Sequence, residues 1–140
     1  MTWPINRSHL WAFILVLILW PAAGRSSSDR TGDQILGRWL FPSKGSSVDV
    51  YRTGNHYFVR VAEVDLAGQK NFGLSKDKVL ISNLAFNGRV WTDGQLIHPK
   101  TGTSLDVELN MSDPQTLTVT VYKGIKLLHK KFDMTRKAPL

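Results

Sequence analysis

Residues 104–121 read SLDVELNMSDPQTLTVTV. Leu105, Val107, Leu109 and Met111 alternate with Ser104, Asp106, Glu108 and Asn110. Successive side chains of a strand point to opposite faces, so this pattern has one buried side and one wet side. Ser112-Asp113-Pro114-Gln115 is turn chemistry. Leu117, Val119 and Val121 then alternate with Thr116, Thr118 and Thr120, β-branched residues that suit a solvated pleated face. The stretch predicts a β-hairpin.

The same reading extends outward. Ile35–Phe41, Val48–Arg52 and His56–Glu63 are expected strands, joined by Lys44-Gly45 and Thr53-Gly54 turns. Lys78–Phe86 is another, ended by Asn87-Gly88, a strong hairpin signal. Arg89–Thr92 and Gln95–His98 follow as two strands about an Asp93-Gly94 turn, and Leu127–Arg136 is the last. No segment after residue 24 sustains a 3.6-residue period long enough for a helix. Asp33 caps at most one turn before Leu36. Seven to nine short strands with short connections imply an all-β, antiparallel, up-and-down barrel over residues 34–137, closed so that no edge is left unpaired. An oligonucleotide-binding barrel fits less well, because it has five strands and a helix. The long connection, Asp65–Lys76 (DLAGQKNFGLSK), is expected to be mobile and to serve as a lid at one mouth.

The chain has 140 residues, one domain's worth. Residues 1–24 read as a cleaved signal peptide. Arg7 is basic, Leu10–Trp20 (LWAFILVLILW) is apolar, and Pro21-Ala22-Ala23-Gly24 ends in small residues. The apolar run is short of the roughly 20 residues a membrane span needs; an uncleaved interfacial anchor is the alternative. Residues 25–33 (RSSSDRTGD) form a flexible polar linker, and the expected location is the periplasm, with no transmembrane helix in the mature form. Cysteine is absent, which excludes disulfides, thiol chemistry, lipidated cysteine and thiolate metal sites. Removal of residues 1–24 leaves 17 basic against 11 acidic residues, a net charge of +6. Such a charge attracts anionic envelope surfaces, or simply keeps the protein soluble. Nucleic acid is not an expected partner outside the cytoplasm.

A Gly37-x-Trp39 signature on the first strand, with Arg136 on the last, resembles the calycins, the superfamily of lipocalins and fatty-acid-binding proteins. The resemblance implies that Trp39 plugs one barrel end and that Arg136 lies across its ring, a cation–π contact of about 0.5–2 kcal/mol. More closely, the chain resembles the bacterial exported family of domain of unknown function 2147. The matching pieces are Ile35-Leu36-Gly37-Arg38-Trp39, Tyr51-Arg52-Thr53-Gly54, Trp91 with Gly94–Gly102 (GQLIHPKTG), Leu117-Thr118-Val119, Tyr122-Lys123-Gly124 and Thr135-Arg136. The resemblance implies the barrel and supplies no reaction. Phe58-Val59 stands where many members have Cys-Gly, and an inward Phe58 would narrow the interior.

Candidate sites follow from these faces. Tyr51, Tyr57, Phe58, Phe86, Trp91 and Tyr122 are the aromatic residues expected to line a small hydrophobic ligand. A barrel this small is either packed solid or holds one small ligand, and both remain open. Lys123, Lys126, Lys130 and Lys131 form a basic surface, the alternative being a solid-core protein that docks an anionic partner or membrane surface. Along the last strand Lys130, Phe132, Met134 and Arg136 share one face. His56, His98 and His129 have no metal-ligand spacing, so no metal is expected. No Ser lies in a Gly-x-Ser-x-Gly setting, and Asp106 and Glu108 sit on the wet face. Neither these nor Glu63 with Asp65 supply paired carboxylates in unlike environments. The expectation is a non-enzymatic binding protein without a cofactor.

Overall fold

A computed structural model describes residues 31–137, with the side chains of residues 125–128 outside the description. The expected signal peptide, most of the expected linker and the Lys126 side chain therefore lie outside the described residues. A 3-10 turn, Asp33–Ile35, leads into β1 (Gly37–Leu40), β2 (Ser47–Thr53) and β3 (His56–Glu63). A helix, α1 (Leu66–Phe72), precedes β4 (Val79–Phe86), β5 (Trp91–Ile97), β6 (Ser104–Asp113), β7 (Thr116–Lys123) and β8 (Ile125–Arg136). The eight strands pair in sequence order, each antiparallel to its neighbour, and β1 closes on β8. The architecture is the up-and-down barrel that the alternation predicts.

The stripes face as the hairpin at residues 104–121 requires. Val107 and Leu109 on β6 pair with Val121 and Val119 on β7. Val107, Leu109 and Val119 are buried. Thr118 on the outer face donates instead to Asp133 Oδ1 at 2.8 Å. Burial of each such aliphatic side chain contributes about 1.5–3 kcal/mol, which makes the inner stripe the main source of stability.

Two expectations need correction. Asp93-Gly94 is not a turn between two strands, since β5 runs unbroken through it. Asp93 adopts φ 66° and the register slips between Trp91 and Gly94, the mark of a bulge. The extra residue resets the alternation, so Trp91 and Leu96 both face inward although five positions apart. Asp65–Lys76 is not an open loop, since α1 occupies its centre. Seven residues are too few to show a helical period, but both helix ends carry signals. The Asp65 side chain accepts from the Gly68 amide at 2.8 Å and from Ser46 Oγ at 2.9 Å. Gly73, at φ 67°, ends the helix in the left-handed conformation that costs glycine nothing.

At one end, Trp39 is fully buried and its indole N–H donates to the Ile35 carbonyl at 2.9 Å. Trp39 is the cross-strand partner of Arg136, whose guanidinium carbon lies 4.2 Å from the indole centroid. Arg136 also donates to the carbonyls of Pro114 (2.9 Å), Leu36 (3.1 Å) and Gln34 (2.7 Å). Gly37 has φ 128°, and a Cβ there would lie 3.2 Å from Arg136 Nη1, so both backbone and space favour glycine. Outside this seam, Arg38 pairs with Asp49, and Glu63 accepts from Lys137 and Ser47. Those hydrogen bonds, Lys137 first, hold the Glu63 carboxyl below the usual range.

The same end is floored by aromatic rings. Tyr57 meets Trp91 edge-on with centroids 6.4 Å apart, and Phe86 packs on Trp91 at 4.6 Å. The Tyr57 hydroxyl donates to Asp33 Oδ1 at 2.8 Å, and Arg52 pairs with the same carboxylate at 3.0 Å. Burial, aided by the Asp33 hydrogen bond and charge, pushes the phenol up from 10.0 to about 12 against the opposing pull of Arg52.

Three outcomes follow. Arg136→Met removes a charged donor from three carbonyls and the indole; denaturant unfolding should show a loss of about 3 kcal/mol, and Arg136→Lys should recover less than half. Asp65→Ala should cost about 1–2 kcal/mol in the same assay, because the helix cap and the Ser46 partner go together. Tyr57 holds its proton to higher pH when folded than when unfolded. Its contribution is full below pH 10.0 and declines as pH rises toward about 12. Melting temperatures across that window should fall less steeply in Tyr57→Phe than in the parent.

Candidate functional site: an apolar cavity with a cationic mouth

Above the aromatic floor the barrel is hollow. The cavity has a volume of about 1160 Å³, beyond the roughly 300–1,000 Å³ of ordinary small-molecule pockets. Val48, Val59 and Ile81 on β2–β4 line it, with Leu96, Leu105 and Val119 on β5–β7. Phe132 and Met134 on β8 complete the wall. These residues are the inward half of the alternating stripes. Their side chains are shorter than the rings of the floor, so the space narrows at Trp39 and opens away from it.

The mouth is built from the four connections at the end opposite Tyr57, Phe86 and Trp91. Phe41, Pro42 and Ser43 come from the β1–β2 loop, and Asn71 and Phe72 from α1. His98 and Pro99 come from the β5–β6 turn, and Lys123, His129, Lys130 and Lys131 from the β7–β8 hairpin. Leu74, just after α1, is buried and anchors the helix to the wall. Leu66 and Phe72 on the same helix are 74% and 53% exposed. Asp65, drawn to the Gly68 amide first and then to Ser46, stays ionised below the usual carboxylate range and keeps this lip in place.

The six aromatic residues expected around a ligand divide three ways. Tyr122 lines the cavity. Tyr57, Phe86 and Trp91 form the floor beneath it. Tyr51 and Phe58 are cross-strand partners on the outer face, their rings stacked with centroids 5.5 Å apart and Arg60 over Tyr51 at 5.0 Å. They cannot reach the interior, because Val50 and Val59 next to them occupy the inward positions. Phe58 therefore leaves the cavity its width. The walls that sequence reasoning passed over are aliphatic; the alternation marked several of them as inward, and the emphasis on rings hid them.

Lys123, Lys130 and Lys131 are exposed and lie on the rim of the cavity. The hollow interior removes the premise of a solid-core barrel. Among the described residues no group of three His, Cys, Asp or Glu could hold a metal ion, and no helix is long and apolar enough to cross a membrane. His98 Nδ1 accepts from the Lys100 amide at 3.2 Å.

No match was found among curated proteins. Among solved structures the chain is similar to protein HP1028 of Helicobacter pylori, described as a member of the lipocalin family. The TM-score is 0.57 at 17% identity, over 74% of this chain and 83% of that one; the likeness is one of fold. Residues 37–136 match the family described as an uncharacterized protein conserved in bacteria, DUF2147. That span contains all eight strands, the Trp39–Arg136 closure and the cavity wall, and the chain belongs to this bacterial family.

Proposed function

We propose that the protein is an exported, non-enzymatic carrier that holds one small apolar or amphipathic molecule in the bacterial periplasm. The observation that carries the reading is the cavity of about 1160 Å³, walled mainly by apolar side chains from seven strands. Each ligand methylene moved from water into such walls contributes about 0.8 kcal/mol, so an extended chain gains more there than a compact polar metabolite. The lipocalin-family description of the structural neighbour supports the same reading. The leader-like residues 1–24 support export.

Nile red, a neutral dye that brightens in apolar surroundings, tests the reading directly. The protein should bind it saturably, one dye per barrel, at micromolar concentration. Val119→Trp and Ile81→Trp place an indole in the lumen and should each weaken binding at least tenfold while leaving the β-sheet circular dichroism intact. Equal binding by these folded variants, or none by the parent, would refute a luminal carrier. Cell fractionation checks the location: recovery in the cytoplasm would refute the periplasmic assignment.

A further inference from the structure

We infer that the cavity's ligand is a single-chain amphiphile with an anionic head, seated chain-down with its head at the Lys130 end. The inference rests on the carrier reading and adds polarity and charge to it.

Three observations converge. The first is the position of Lys130. On β8 it lies opposite Val121, two places along from Phe132 opposite Val119 and four from Met134 opposite Leu117. Met134 and Leu117 are buried, so Lys130 continues the inward stripe, yet it is exposed at the mouth. A lysine there lays its stem along the wall and its ammonium in water. The second is the sign of the rim. The cavity lining includes Lys123, Lys130 and Lys131 with His98 and His129, and no Asp or Glu. Asp106, at the same end, is turned to the outer face, where Gln95 and the Gly124 amide hold it. The third is the gradient of polarity. From Met134 up to Lys130 the wall runs about 13 Å, the reach of four strand residues, through Phe132, Val119 and Val121 without a charge.

A neutral chain satisfies the walls and leaves the ammonium groups with water. A cationic head meets repulsion from the rim. A carboxylate or phosphate monoester gains charge-assisted hydrogen bonds without removing Lys130 from solvent, so it escapes the desolvation cost of a buried pair. The depth matches an extended medium-length chain, with its tail against Met134 and the head level with Lys130.

Displacement of Nile red by four ligands that share one dodecyl chain, each below its micelle concentration, tests this. They are dodecanoate, dodecyl phosphate, dodecanol and dodecyltrimethylammonium. The anions should bind about tenfold more tightly than dodecanol, and the cation more weakly than dodecanol; about tenfold corresponds to one charge-assisted hydrogen bond. Whichever anion leads identifies the head as carboxylate or phosphate. Lys130→Met should erase the anion preference while leaving dodecanol affinity within about twofold, which also shows that the variant is folded. Added salt should weaken the anions alone. Dodecanol bound as tightly as the anions, or an anion preference that survives in both Lys130→Met and Lys123→Met/Lys130→Met, would overturn the inference and leave the carrier reading standing. Failure of all four ligands and of the dye would overturn both.

Discussion

The barrel depends on the meeting of its first and last strands. β1 is four residues long, and its ladder to β8 consists of two residue pairs, Trp39 with Arg136 and Leu40 with Thr135. Backbone pairing alone makes this the weakest seam of the sheet. Arg136 strengthens it with side-chain chemistry. One planar guanidinium covers the Trp39 ring and donates to carbonyls of the 3-10 turn, the β1 entry and the β6–β7 turn. Burial lowers the guanidinium pKa, yet the carbonyls and the indole face give the charge partners in place of water.

That closure divides the interior. Below lie the large rings of Trp39, Tyr57, Trp91 and Phe86; Trp91 packs against Tyr57 and Phe86, and Tyr57 is tied to the N-terminal turn through Asp33. Above lie aliphatic walls that do not meet across the lumen. A barrel of eight strands has nearly the same girth at every level, so side-chain size decides where it is filled and where it is empty. Rings fill the end at Tyr57, Trp91 and Phe86, whereas the shorter side chains of Val59 and Val119 leave the space above them open. Packed rings and open space thus occupy different levels of one sheet.

The alternating stripes made most strands legible, because period two is a local property and each inward residue repeats two places on. His56–Glu63 and the hairpin of β6 and β7 stood in the sequence almost to the residue. Local periodicity breaks at two places. At Asp93 a bulge imitates a turn, and in residues 66–72 a helix of two turns is too short to display its period. Parity puts Lys130 on one face with Phe132 and Met134, but nothing local connects that lysine with a lumen. Tyr51 and Phe58 were misassigned because composition marks a ring as apolar without saying which way it points.

The sequence alone carries the fold class, the order of the strands and the absence of thiol chemistry, and its resemblance to the calycins implies the contact of Trp39 with Arg136. Only the tertiary structure decided that the barrel is hollow, that its floor is aromatic and its wall aliphatic, and that three lysines ring the opening. The physical reason is the range of the interactions. Strand alternation and turn chemistry act between neighbours in the chain, whereas an empty volume is a property of side chains from seven strands failing to touch, and no local pattern records a gap.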